Sequence, residues 1–351
     1  MKAAVLRQFR EPLSLEDVDR PTPASDEVLI QVEACGACHS DVHVADGDWT
    51  QLAPIVKRPL ILGHEIAGRV VEMGSSVRDL QFGDFVGVPW IHWSCGQCEF
   101  CLAGNENLCP RQKITGITVD GGYAEFVKAP ASHVLKIPGG LSPVDAAPLF
   151  CAGLTVYRAL KKAGPLMGRR LAVFGIGGLG HVAVQLGKYF GAEVTAIDIS
   201  DAKLELARAL GASDVFNAAS TDVAKQLRRS GGIHVSLVSS GTKAAYDMAF
   251  YCLRPMGTLL LVGLPSENIC FPPILMAAGE IKIEASAVGT RQDLQEVLAL
   301  AAAGKLRCQV ESRPLSQVNQ VLDDLRRGRA TGRIVLLPSK TDDTLNPGMP
   351  A

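Results

Sequence analysis

Over roughly the first 150 residues the apolar positions come in short, partly alternating runs: EVLIQVEACG, AGRVVEMG, GDFVGVPW, YAEFVKAP and HVLKIP. Gly, Pro and Asp turns separate them. Period-two alternation with frequent breakers predicts a compact, β-dominated domain. From about residue 170 the texture changes to strand–helix alternation. LAVFGIGG leads to LGHVAVQLGKYFGA, then EVTAIDIS, DAKLELARALGA, IHVSLVSSG, AAYDMAFYCLRPMG and TLLLVGLP. Apolar β-runs alternating with helical patterns predict βαβ units around a parallel sheet. After about residue 290, DLQEVLALAAAGKL and VNQVLDDLRRG read as amphipathic helices and RIVLLP as a last strand. The tail after Lys340 reads as a frayed end.

Composition narrows the class. A chain of 351 residues exceeds what one core usually serves, so two domains are expected. Hydrophobic content of 47% with 20% charged residues is globular. A net charge of −1 offers no basic face to nucleic acid. The opening segment lacks the apolar centre of a signal peptide, and no apolar run reaches membrane length. Ten cysteines in such a chain read as thiols and metal ligands in a reducing cytoplasm.

Four of those thiols crowd into SCGQCEFCLAGNENLCP as Cys95, Cys98, Cys101 and Cys109. C-x2-C turns aim sulfurs at one point, which suits a closed four-thiolate shell around a structural Zn²⁺. Paired disulfides, a redox pair or an iron–sulfur cluster are the rival uses of such a run. A second motif follows the strand LAVF: Gly175, Gly177 and Gly180 fill G-x-G-x-x-G, with Gly178 and Leu179 inside it, at the start of a helix. The glycines give a tight turn, close backbone approach to a pyrophosphate and close helix–strand packing. Asp198 ends the next strand, where a carboxylate binds ribose hydroxyls and repels a 2′-phosphate, favouring NAD. Its structural alternative is a helix cap, a task that Ser200 or Asp201 can fill instead. Lys203 adds a candidate ribose contact.

A third group is dispersed: CHSDVH from Cys38, GHE around His64, and Cys151. Three ligands of mixed S and N type leave a fourth position open, as a catalytic zinc needs. Taken singly, Cys35 and Cys38 read equally as buried apolar residues and His64 as a core histidine.

Together these motifs, with DGGYAEFV, CAGLTVY and VGLP in the same order, carry a resemblance. The chain resembles the zinc-dependent alcohol dehydrogenases of the medium-chain dehydrogenase/reductase superfamily, most of all their bacterial and yeast NAD-linked branch. The likeness runs from about residue 1 to 338 and implies a GroES-like β-rich catalytic domain, residues 1–152 completed by 290–351. It also implies a Rossmann coenzyme domain with a doubly wound parallel sheet, residues 153–289. By the same resemblance Cys38, His64 and Cys151 hold the catalytic zinc and Cys95, Cys98, Cys101 and Cys109 the structural one, two ions per chain. Glu65 lies behind the metal as a transient ligand, and Asp41 orients His64. Ser40 takes the substrate proton and His43 passes it to solvent. His39 and Arg333 meet the cofactor pyrophosphate, and Val262 of VGLP joins the NAD contacts.

Trp49 and Trp90 match aromatics that narrow the substrate pocket, with ordinary packing as the alternative use of both. The segment TQLAPIVKRPLIL after Trp49 is longer than the usual bacterial stretch, and Leu62 stands where Pro is expected. A narrow pocket implies small primary alcohols and aldehydes; one opened by the longer loop implies allylic, benzylic or medium-chain aldehydes. The expected partner is a small-molecule alcohol or aldehyde, with no nucleic acid and no membrane. A homo-oligomer, tetramer over dimer, follows by analogy. A non-catalytic NAD-binding relative and a redox sensor built on the four-cysteine lobe are the rival classes.

Overall fold

The computed structural model describes residues 1–338; the frayed end expected after Lys340 lies outside them. The described chain divides into two units. One contains Met1–Cys151, Thr290–Ala302 and the chain from Cys308 onward; the other contains Ala152–Gly289 and Ala303–Arg307.

The first unit is built around the strand Glu27–Ala37, whose alternation buries Val28, Ile30 and Val32. It pairs antiparallel with Glu65–Met73, with Phe126–Pro130 and, at its Cys35–Ala37 end, with Arg333–Leu337. Phe85–Val88 and Leu135–Lys136 extend the sheet on one side, and Val310–Pro314 extends it on the other. A small sheet of Ser14–Asp17, Lys2–Leu6 and Leu60–Ile61 adds to the same core. Strands from both ends of the sequence thus meet on one central strand, and the chemistry gathers where they meet.

The second unit is a six-stranded parallel sheet. Its strands are β1 (Arg170–Phe174), β2 (Glu193–Asp198), β3 (Asp214–Asn217), β4 (Ile233–Val238), β5 (Leu253–Leu261) and β6 (Lys282–Ala285). Their spatial order is β3-β2-β1-β4-β5-β6, the doubly wound arrangement expected from the βαβ texture. Two details differ from the reading of the sequence. The helical reading of AAYDMAFYCLRPMG fails at its end: the helix covers Lys243–Tyr251, and Leu253 already belongs to β5. Pro255 cannot continue a helix, and Met256 turns to φ +62, so Leu253 and Thr258 join β4 across a register shift. The strand β3 escaped notice because it is half exposed and carries no apolar run. Among the described residues, no helix is long and apolar enough to cross a membrane.

Candidate active site

Cys38 follows the central strand directly and caps the helix His39–Asp46 in an extended conformation. Asp41, three residues on, completes a reciprocal cap: its carboxylate accepts the Cys38 N–H at 2.9 Å, and the Cys38 side chain accepts the Asp41 N–H. The same carboxylate accepts the Tyr123 hydroxyl at 2.9 Å and Nδ1 of His64 at 3.0 Å. Asp41, His64 and Tyr123 are all buried. A helix cap therefore doubles as the orienting partner of a histidine that arrives from another strand. At its far end the helix is tied by Arg326, whose guanidinium makes two bonds to Asp46.

The sulfurs of Cys38 and Cys151, a His64 ring nitrogen and a Glu65 carboxylate oxygen all lie within 4.8 Å of one another. Cys151 reaches the group from the end of the short helix Ala147–Phe150. Nε2 of His64 is buried and has no hydrogen-bond partner among the described residues. A buried bare nitrogen among thiols is costly unless a cation meets it, so this donor set fits a zinc ion with one position left over. Hydrogen bonding from Cys151 draws the Cys38 thiol well below its ordinary range, against burial and with help from the Arg333 charge. Burial opposes a charge on His64, but the Asp41 carboxylate outweighs it and the imidazole is pushed up to about 9.

Glu65 sits opposite Gly36 in the strand register. A Cβ on Gly36 would stand 1.9 Å from a Glu65 carboxylate oxygen, so only glycine leaves room for that side chain. Arg333, expected at the cofactor pyrophosphate, is 4% exposed, and its guanidinium is paired to Glu65. The strand Arg333–Leu337 adds beside Cys35–Ala37 and so delivers Arg333 to this carboxylate.

Ser40 lies beside the metal-type cluster, its hydroxyl 3.6 Å from the Cys38 sulfur. The His43 ring stands 5.1 Å from that of His39 and stacks on Trp49 at 4.6 Å. Burial, then the neighbouring His43, holds His39 below its ordinary range. Trp90 meets the His64 ring edge-on at 4.8 Å and also packs against the core. Both tryptophans therefore touch the histidines in question. Asp48, which the sequence did not single out, holds Nδ1 of His43 at 2.8 and 2.9 Å.

Cys95, Cys98, Cys101 and Cys109 form a second cluster, again within 4.8 Å, and all four are free thiols. The sulfurs of Cys95 and Cys101 are 3.9 Å apart, beyond the disulfide bond length of about 2.0 Å. Backbone N–H groups of Gln97 and Cys98 draw Cys95 down to about 6, whereas burial and the Cys98 thiol push Cys101 up to about 11. Four thiolates this close repel one another, so a cation between them is what would let all four stay charged. The donor set suits Zn²⁺.

In the second unit, β1 runs into Gly175 and the helix Gly180–Tyr189. A Cβ on Gly180 would lie 1.8 Å from the Gly175 carbonyl oxygen, while one on Gly177 would meet nothing within 4 Å. The first glycine is needed for packing; the second leaves open space of the kind a phosphate fills. Gly178 continues the loop and Leu179 is the helix N-cap. Asp198 accepts the Ile176 N–H at 2.6 Å and those of Ile199 and Ser200 at 2.8 and 3.0 Å. Ser200 is the N-cap of the helix Asp201–Leu210, which carries Lys203. Val262 is buried directly after β5, its N–H on the Val238 carbonyl. Two further residues support the loop: Ser239 donates to the Gly175 carbonyl at 2.6 Å, and His181 Nδ1 to that of Gly177 at 2.9 Å. Hydroxyl and imidazole groups at such places carry no distinctive sequence signal.

Residues 24–139 match the alcohol dehydrogenase GroES-like domain, and residues 178–303 match the zinc-binding dehydrogenase family. Over 337 residues the chain is 48% identical to an alcohol dehydrogenase of Geobacillus stearothermophilus, covering 96% of this chain and 99% of that one. The chain belongs to the zinc-binding alcohol dehydrogenases. Its two units are the GroES-like and Rossmann folds of that family, and it is an oxidoreductase that uses zinc and a nicotinamide cofactor. The alcohol dehydrogenase of the archaeon Aeropyrum pernix superposes with a TM-score of 0.90 at 38% identity, over 96% of this chain and 100% of that one. An acetophenone reductase of Geotrichum candidum, solved with NAD, superposes at 0.88 and 32% identity, over 96% and 97% of the two chains. Membership of this family disfavours the non-catalytic and redox-sensing alternatives.

Proposed function

We propose that this alcohol dehydrogenase is NAD-linked, that it carries two zinc ions per chain, and that Cys38, His64 and Cys151 form the catalytic zinc site. The observation that carries the reading is the bare, buried Nε2 of His64 facing two thiols, with Asp41 fixed behind the ring. Zinc held by Cys38, His64 and Cys151 would supply Lewis acidity towards an alcohol oxygen, and NAD at the glycine-rich loop would supply a hydride acceptor. The remaining steps belong to the chain. Asp41 holds a His64 proton on Nδ1, so Nε2 is the nitrogen the ring offers to the metal. The Ser40 hydroxyl takes the substrate proton, and His43 hands it to water. Glu65 balances Arg333 beside the ligand set and is the spare carboxylate of the site.

Cys95, Cys98, Cys101 and Cys109 close the second zinc with four sulfurs and leave no place for substrate, a structural role. The loop from Gly175 to Gly180 cradles the pyrophosphate, with His39 as a further contact, and Asp198, Lys203 and Val262 serve the adenosine half. The Asp198 carboxylate supports NAD over NADP, because a 2′-phosphate would meet its charge. Trp49, stacked on His43, and Trp90, edge-on to His64, support small primary alcohols as substrates. The enzyme is read as a cytoplasmic homotetramer.

Metal analysis and a substrate panel test the reading together. Two zinc ions per chain, with NAD-dependent turnover of short alcohols that Cys38→Ala abolishes, are expected. A zinc-free protein of full activity, or undiminished turnover in Cys38→Ala, would overturn it.

A further inference from the structure

The helix His39–Asp46 ends in a turn whose side-chain contact is unusual. Gly47 adopts φ +64 and its N–H bonds the Val44 carbonyl, while the Asp48 N–H reaches the His43 carbonyl at 3.3 Å. This pair of bonds makes a Schellman motif, which brings the residue after the glycine back onto the residue one turn inside the helix, usually as an apolar contact. In this chain the two positions are Asp48 and His43, and the contact is a carboxylate on an imidazole, both oxygens on Nδ1. The turn is braced from outside, since a Cβ on Gly47 would stand 2.7 Å from the Phe9 ring. It is braced from behind as well. Trp49 lies nearly parallel to the His43 ring, with 19° between planes, and its carbonyl accepts the N–H groups of Leu52 and Ala53. Nε2 of His43 has no hydrogen-bond partner among the described residues.

We propose that Asp48 is a positioning residue for the proton relay: it holds the His43 proton on Nδ1 and so keeps Nε2 open as the acceptor. The inference rests on the reading that His43 passes the substrate proton to solvent. A neutral imidazole can carry its single proton on either nitrogen, and a ring protonated on Nε2 accepts nothing there. With Asp48 in place, the Nε2 lone pair takes the proton and the resulting cation stands beside a carboxylate. Loss of that proton to water returns the starting ring. The hydride leaves the substrate separately, to the nicotinamide, so the relay carries one proton and no electrons.

The test is a double-mutant cycle on the zinc-loaded enzyme at saturating NAD, reading kcat and KM for alcohol oxidation together with the solvent deuterium isotope effect. Asp48→Ala is expected to lower kcat about tenfold with little change in alcohol KM, and to raise the isotope effect. Asp48→Glu should recover part of the loss. In a His43→Gln background the same Asp48→Ala change should cost nothing further, since its partner is gone. The isosteric Asp48→Asn takes its place in the cycle if Asp48→Ala does not fold. A tenfold loss that persists in the His43→Gln background overturns the role of Asp48, as does an unaltered kcat in Asp48→Ala while His43→Gln is impaired. Either result leaves the relay standing. An undiminished kcat in His43→Gln removes the relay itself and this inference with it.

Discussion

Changing Asp41 to Asn tests how His64, the proposed ligand, is prepared. One Asp41 oxygen accepts both the Cys38 N–H and the Tyr123 hydroxyl; the other accepts Nδ1 of His64. An amide has one acceptor oxygen and one NH₂ donor. If the NH₂ faced the Cys38 N–H, two donors with no freedom to rotate would oppose each other, at about 1–3 kcal/mol for the buried unmet group. The amide therefore keeps its oxygen towards Cys38 and Tyr123 and turns the NH₂ to His64. The imidazole then presents a lone pair at Nδ1 and carries its proton on Nε2, the nitrogen that faces the thiols of Cys38 and Cys151. Zinc can bind only by returning that proton to Nδ1 and restoring the donor clash. The cost is on the order of 2 kcal/mol, a roughly thirtyfold loss of zinc affinity. Dialysis against a graded series of free-zinc buffers, with metal content read by mass spectrometry, measures it. One zinc ion should leave at higher free zinc than in the parent while the other stays in the four-cysteine lobe. Tyr123→Phe, which removes one bond and leaves the His64 proton in place, should behave like the parent. Equal retention of both ions in Asp41→Asn would refute the tautomer argument.

Other outcomes follow from the same geometry. Cys109→Ala opens the lobe at its fully buried ligand and should lower the melting temperature while kcat per folded chain is kept; lost kcat in the folded fraction would contradict a structural role. Asp198→Ser should raise NADP use and also weaken NAD several-fold, because the Ile176 N–H loses its acceptor at a cost of about 1 kcal/mol. Nil NADP activity with unchanged NAD binding would refute the ribose assignment. Burial holds His133 down at about 4, and its Nε2 must stay unprotonated to accept the Ser94 N–H. The unfolded chain takes up that proton from about pH 6.5, so stability is complete above 6.5 and falls by on the order of 3 kcal/mol towards pH 4. Urea midpoints should thus fall less steeply between pH 6.5 and 5 in His133→Gln than in the parent, and equal slopes would count against the argument.

The parallel sheet was legible because its strands are buried on both faces and read as continuous apolar runs, as in LAVF and HVSLV. Strand β3 was not, since Asp214 and Asn217 break its apolar pattern at a half-exposed edge. Motif chemistry marked Cys38, His64 and Cys151 as metal-ligand types, but their meeting depends on strand pairing across the first unit, which local periodicity does not encode. The partner of Arg333 was illegible for the same reason: Glu65 is brought to it only when a late strand adds to an early one. Asp48 had a local signal in the Gly47-Asp48 pair at a helix end, but a polar contact in a turn that is usually apolar gave no reason to look there.

The late arrival of that strand has a consequence for how the enzyme is made. All three ligands proposed for the catalytic zinc have been synthesised once Cys151 leaves the ribosome, yet Arg333 follows only after the whole coenzyme unit. Until then the Glu65 carboxylate lacks its counterion, and the Cys35–Ala37 segment lacks one of its neighbouring strands. A chain stopped at residue 151 holds the three proposed ligands but not the cation that Glu65 pairs with, so that pairing waits on nearly the entire polypeptide.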